Sequence, residues 1–104
     1  MVAAGEFIKN SIGENSVLIF SKSYCPYCAR AKELFTNLKV AYKAIELDEC
    51  ESGKEIQEEL RVLTGQRTVP NVFVNGQHIG GYDAVSNAKQ TGKLDNYLQQ
   101  KAKL

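Results

Sequence analysis

A chain of 104 residues with a formal net charge of +1 is long enough to bury one core, and a single domain over residues 1–104 is expected. Its 43% hydrophobic and 24% charged residues are ordinary for a globular protein. A nucleic-acid binder would need a concentrated basic face, and no apolar run approaches the roughly 20 residues that span a bilayer.

The first residues, Met1-Val2-Ala3-Ala4-Gly5-Glu6, lack the charged segment and apolar stretch of a secretory signal. A removed organelle-targeting extension would leave no trace in them. The three cysteines are an odd number, whereas secreted disulfide scaffolds carry larger, even sets. A reducing compartment, the cytoplasm in the simplest case, is therefore expected.

In chain order, a first helix is predicted from about Ala3 to Ser11, with Phe7 and Ile8 inward. Ser16 to Phe20 reads as a strand, most of it the apolar run Val17-Leu18-Ile19-Phe20. A second helix follows, with Cys28, Ala31, Phe35 and Leu38 on one stripe. Ala41 to Leu47 is an imperfect second strand, and Asp48-Glu49-Cys50-Glu51 a polar turn. Ser52 and Glu55 have the spacing of a capping box. The helix they open is predicted to bury Ile56, Leu60 and Leu63 and to stop at Gly65. Val72-Phe73-Val74 is a third strand, Asn75-Gly76 a tight hairpin turn, and His78-Ile79 the centre of a fourth strand. Asp83 is placed to cap a helix running through Ala88, and Leu94 to Lys101 forms the last helix, with Leu94, Tyr97 and Leu98 inward. One right-handed β-α-β crossover followed by a hairpin gives an α/β fold, a mixed four-stranded sheet with helices on both faces.

The chemistry gathers at Cys25-Pro26-Tyr27-Cys28, where the first strand gives way to a helix. Helix N-terminal amides stabilise a thiolate, and two thiols at this spacing open and close a disulfide. Cys25, first at the helix end, is the expected nucleophile. Its pKa should fall in the activated range of about 3.5 to 7.5, against about 8.5 for a free thiol. Cys28, a turn further in, should lie above it. Pro26 costs no hydrogen bond at the start of a helix, and Lys22 brings positive charge from upstream. The alternative, half a zinc site, would need two further ligands. Only Cys50 and His78 offer themselves, at irregular spacing, and no metal is expected.

Thr68-Val69-Pro70 precedes the third strand, where a proline costs no ladder hydrogen bond. A cis and a trans Val69–Pro70 bond both fit. The cis form would leave the Val69 backbone groups open to an extended peptide. In Gly80-Gly81-Tyr82-Asp83 the glycines permit close approach by a ligand. Asp83 beside free helix amides would bind an ammonium and a carboxylate together. A plain turn with an N-cap accounts for the same spacing.

Taken together, Lys22 to Cys28, Thr68 to Gly76 and Ile79 to Asp83 resemble a dithiol glutaredoxin of the thioredoxin superfamily. The likeness runs from about Val17 to Leu98. It implies a thioredoxin-like fold and a cis Pro70 facing Cys25. It also implies glutathione as reductant and ligand, with no permanently bound cofactor. By position, Lys22 and the Gln66-Arg67 pair would meet the glycine carboxylate of glutathione, and Tyr27 would flank the sulfur. Val69, within Thr68-Val69-Pro70, would pair with the cysteinyl part. Asp83, with Gly81 and the Tyr82 backbone, would hold the γ-glutamyl end. The implied activity is glutathione-dependent reduction of glutathione mixed disulfides and of protein disulfides; a monomer is expected, since the sequence points to no large apolar patch. Many family members have a cysteine where this chain has Tyr82, whose larger ring would edge the groove. Cys50 is an additional thiol, expected to be a functionally neutral surface or half-buried residue, with a glutathionylation or intermolecular disulfide site as the alternative. A [2Fe–2S] cluster shared by two protomers is disfavoured because Pro26 stiffens the loop where cluster-binding members have glycine. Reduction by thioredoxin reductase is disfavoured by the glutathione-site residues.

Overall fold

The computed structural model describes residues 3–99. Five helices, α1 (Ala4–Glu14), α2 (Pro26–Asn37), α3 (Gly53–Thr64), α4 (Tyr82–Thr91) and α5 (Lys93–Gln99), surround four strands, β1 (Val17–Ser21), β2 (Lys43–Glu46), β3 (Asn71–Val74) and β4 (Gln77–Gly80). The strands form one sheet in the order β2-β1-β3-β4. β1 runs parallel to β2 and antiparallel to β3, and β3 runs antiparallel to β4. The expected mixed sheet is what forms. The predicted end of the last helix at Lys101 lies outside the described residues.

β1 is apolar from Val17 to Phe20 because both of its faces are covered. Val17 and Ile19 join Val72 and Val74 under Leu34 and Phe35 of α2, Val85 and Ala88 of α4 and Leu94 of α5. Leu18 and Phe20 point the other way, with Phe73, under Ile8 of α1 and Ile56 and Leu60 of α3. The period-2 alternation of the strands thus splits one sheet into two cores. At the hairpin, Asn75 takes a φ of 48° and Gly76 one of 82°, as a primed turn requires. The Asn75 side chain also donates to the Tyr97 carbonyl at 2.8 Å, tying the turn to α5.

Three local expectations fail. Leu63 is 48% exposed and joins neither core. Its helical angle is right, but an angle does not say how far the neighbouring surface extends. Ser52 precedes α3 without a side-chain cap bond, because a 3-10 turn at Leu47–Glu49 sets the approach to that helix. Asp83 is not a cap: Gly81 holds that position and α4 begins at Tyr82. Asp83 therefore sits in the first turn with its side chain exposed.

The topology also makes a site. Phe20, near the end of β1, pairs with Asn71, the first residue of β3. The chain leaving β1 toward Cys25 therefore passes beside the chain entering β3 through Pro70.

Candidate active site

After β1 the Cys25 N–H donates to the Lys22 carbonyl at 3.0 Å, turning the chain into α2. Cys25 is the N-cap and Pro26 the first helical residue, where its missing N–H is harmless. The Cys28 N–H donates to the Cys25 sulfur at 3.3 Å. The sulfur thus does the work of a capping oxygen, at the end of a helix that favours negative charge. Cys25 is half-buried, Cys28 fully buried, and both are free thiols. Burial pushes the Cys28 thiol up to about 11. Its hydrogen bond to Cys25 acts in the same direction, while the Lys22 backbone and the Ser21 hydroxyl oppose it. One thiol is reachable and the other is buried, the order of accessibility that the sequence predicts.

That asymmetry carries a stability signature. A thiol raised from 9.0 to about 11 in the folded state keeps its proton longer than the unfolded chain does. Its stabilising effect is complete below pH 9 and is lost as the pH rises toward 11, at up to about 1.4 kcal/mol per pH unit. Urea unfolding across this window should show the decline, and Cys28→Ala should flatten it.

Opposite Cys25 the Val69–Pro70 bond is cis. The Cys25 thiol faces the Val69 carbonyl at 3.8 Å, so that carbonyl, expected to be open, already has a partner. The Val69 N–H has none among the described residues. Gln66 shapes this segment by donating its amide to the carbonyls of Thr68 at 3.0 Å and Pro70 at 2.9 Å. Gly80, with a φ of +125°, lets the turn into α4 pass close by, where a Cβ would meet the Ala84 Cβ at 3.2 Å.

These elements enclose a groove of about 370 Å³, lined by Tyr27, Thr68, Val69, Pro70, Gly81, Tyr82, Asp83 and Ala84. Seven of the residues singled out in the sequence thus share one wall or floor. Tyr82 packs its ring on Tyr27, with centroids 6.1 Å apart, and the Arg30 guanidinium lies over the Tyr27 ring, 5.1 Å from its centroid. Lys22 lines a neighbouring cleft instead, with Tyr24 and Asp48. There the Ser23 hydroxyl and amide, aided by the Lys22 charge, hold the Asp48 carboxyl below its usual range. Arg67 is exposed and reaches Glu58 at 3.4 Å. Among the described residues no group of three or more His, Cys, Asp and Glu gathers as a metal site.

Pattern reading missed the polar groups beside Cys28. Ser21, fully buried, closes an otherwise apolar strand, which is the one signal it offered. Lys32 stands four residues after Cys28, on the same helical face.

A mixed sheet with a Cys-x-x-Cys pair capping α2, opposite a cis-proline, defines a thiol–disulfide exchanger of thioredoxin-like fold. The glutaredoxin sequence profile matches residues 17–79. Glutaredoxin-C2 of Arabidopsis thaliana is 55% identical over 86 residues, 83% of this chain and 78% of that protein. Monothiol glutaredoxin-S6 of Oryza sativa subsp. japonica is 51% identical over 92 residues, 88% of this chain and 70% of that one. The crystal structure of a buckwheat glutaredoxin–glutathione complex superposes with a TM-score of 0.90 at 46% identity, covering 91% of this chain and 86% of the other. The chain belongs to the glutaredoxin family, and it is a thiol–disulfide oxidoreductase.

Proposed function

We propose that this enzyme reduces glutathione mixed disulfides through Cys25 and protein disulfides through Cys25 and Cys28 together. The observation that carries the reading is the placement of the Cys25 sulfur, capped by the Cys28 amide at 3.3 Å beside a groove edged by an open Val69 N–H. The buckwheat relative in complex with glutathione supports glutathione as the ligand.

The Cys25 thiolate attacks the glutathione sulfur of a mixed disulfide. The old S–S bond breaks, and the substrate leaves as a thiolate that takes a proton from solvent. A second glutathione thiolate then attacks the glutathione sulfur held on Cys25, giving glutathione disulfide and restoring Cys25. For a protein disulfide, Cys28 loses its proton and attacks Cys25, releasing the second substrate thiolate and leaving a Cys25–Cys28 disulfide. One glutathione thiolate opens it, leaving glutathione on Cys25 and a reduced Cys28, and a second removes that glutathione as glutathione disulfide.

Val69 would pair backbone to backbone with the cysteinyl part of glutathione, and Tyr27 would flank its sulfur. Asp83 would take the γ-glutamyl ammonium, while the first-turn amides of α4 take the adjacent carboxylate. Arg67, only loosely held by Glu58, and Lys22 would meet the glycine carboxylate. Gln66, its amide nitrogen committed to Thr68 and Pro70, would act by shaping the Thr68–Pro70 segment.

Asp83→Asn tests the groove. A charge-assisted hydrogen bond contributes about 1.5–3 kcal/mol, so KM for a glutathionylated peptide should rise roughly tenfold or more. Salt should shrink the effect, because Asp83 is exposed. An unchanged KM would move the γ-glutamyl end elsewhere.

A further inference from the structure

Beside Cys28 lie polar groups that the glutathione route does not use. Ser21, fully buried at the end of β1, is the register partner of Glu46 on β2. The Ser21 hydroxyl donates to Glu46 Oε1 at 2.8 Å. Glu46 Oε2 in turn holds Lys32 Nζ at 2.7 Å. The ion pair is shielded, with side chains 24% and 20% exposed, so solvent screens it less than a surface pair. Lys32 projects from α2 one turn beyond Cys28, on the same face. The chain thus runs from the reserve thiol through a hydroxyl and a carboxylate to an ammonium.

Each group has a distinct effect on the thiol. The Ser21 hydroxyl favours the Cys28 thiolate. Burial works against the Lys32 ammonium, but the hydrogen bond and charge of Glu46, then the charges of Cys28 and Tyr42, hold its pKa above the ordinary value. Cys25 acts directly on this thiol, while Lys32, the next charged group along the same face of α2, responds to the charges of Glu46, Cys28 and Tyr42. An unpaired carboxylate here would oppose a second negative charge. Lys32 neutralises it at 2.7 Å, and its charge interacts with that of Cys28.

We propose that Ser21, Lys32 and Glu46 form a unit that sets the ionisation of Cys28 and so governs its attack on a Cys25 mixed disulfide. The Ser21 hydroxyl turns from Glu46 to donate to the sulfur as the proton leaves to solvent, Lys32 supplies the countercharge, and Glu46 holds Lys32 in place. Cys28 then bonds to the Cys25 sulfur, the Cys25–substrate bond breaks, and the substrate departs as a thiolate reprotonated by solvent. The two cysteines are oxidised and the substrate sulfur is reduced. The unit rests on the reading of Cys28 as the resolving thiol.

The test compares a peptide disulfide, which needs Cys28 as well as Cys25, with a glutathionylated peptide, which needs Cys25 alone. Initial rates are taken for both across the neutral to alkaline range. In Lys32→Met the ratio of the first rate to the second should fall about tenfold near neutrality, the equivalent of about one pH unit in Cys28. It should recover as the pH rises, and Lys32→Arg should restore it. A purely structural loss would lower rates without displacing the alkaline limb. If Lys32→Met does not fold, Ser21→Ala must move the same limb the same way. A ratio and profile matching the parent's overturn the proposal. Cys28→Ser separates the two levels: if it still reduces the peptide disulfide, the resolving-thiol reading fails. If it stops that reaction while Lys32→Met leaves the ratio intact, only the charge-setting unit fails.

Discussion

Cys25→Ser is expected to abolish glutathione-dependent turnover, by at least about a thousandfold, as loss of a covalent nucleophile does. Serine can keep the hydrogen bond from the Cys28 amide, so the helix start survives and the protein should fold. A serine hydroxyl cannot form a disulfide, and Cys28 cannot take over from its fully buried position. What remains is uncatalysed exchange in solution. Cys28→Ser should behave differently. It keeps the accessible sulfur, so it should still turn over a glutathionylated peptide and accumulate a glutathione adduct on Cys25 when glutathione is scarce. It should fail on protein disulfides, for which no resolving thiol remains. Initial rates coupled to glutathione disulfide reduction, with intact-mass measurement of the trapped adduct, distinguish the variants. Measurable enzymatic turnover by Cys25→Ser would refute the assignment of the nucleophile.

The same pair shows why this site was legible before any coordinates. A helix N-terminus, a proline in the first turn and two cysteines three residues apart are features of one short segment. Their chemistry follows from local geometry. The hairpin at Asn75-Gly76 is equally local. So are the alternating faces of β1 and β3, because strand periodicity fixes them. The cis state of Val69–Pro70 was not legible from the residues themselves, since both isomers satisfied the local pattern. Only the family resemblance chose between them.

The misreadings share a cause. Leu63 has the right angle on α3 and no neighbour to bury it. Asp83 has the right chemistry for a cap, but the backbone at Gly81 starts α4 sooner. The Ser21–Glu46–Lys32 chain spans three elements that no local pattern connects. Sequence periodicity says which way a side chain points, and it is silent on what stands opposite. Only the β1–β2 register puts Ser21 against Glu46, and only the packing of α2 brings Lys32 to them.

Gly53→Ala should unfold the protein at markedly lower temperature, by more than about 10 °C. In an exposed helix this change would normally help, since alanine is better than glycine by about 1 kcal/mol. Here an added Cβ would stand 1.9 Å from the Leu47 carbonyl oxygen and 2.9 Å from its carbon. Both are backbone atoms, so no rotamer relieves the contact. Leu47 is itself 3% exposed and belongs to the core of Phe20, Ile56 and Leu60. Relief would require lifting Leu47 from that core or tilting the first turn of α3. Overpacking costs typically about 1–3 kcal/mol, and a backbone clash belongs at the upper end. At roughly 4–8 °C per kcal/mol for a domain of this size, the clash outweighs the propensity gain. Gly13 supplies the control. It lies in α1, and an added Cβ meets nothing within 4 Å, so Gly13→Ala should raise Tm by a few degrees, about what 1 kcal/mol of helix propensity gives. Thermal melts followed by far-ultraviolet circular dichroism decide both. If Gly53→Ala melts with the parent or above it, the 3-10 turn does not set the start of α3.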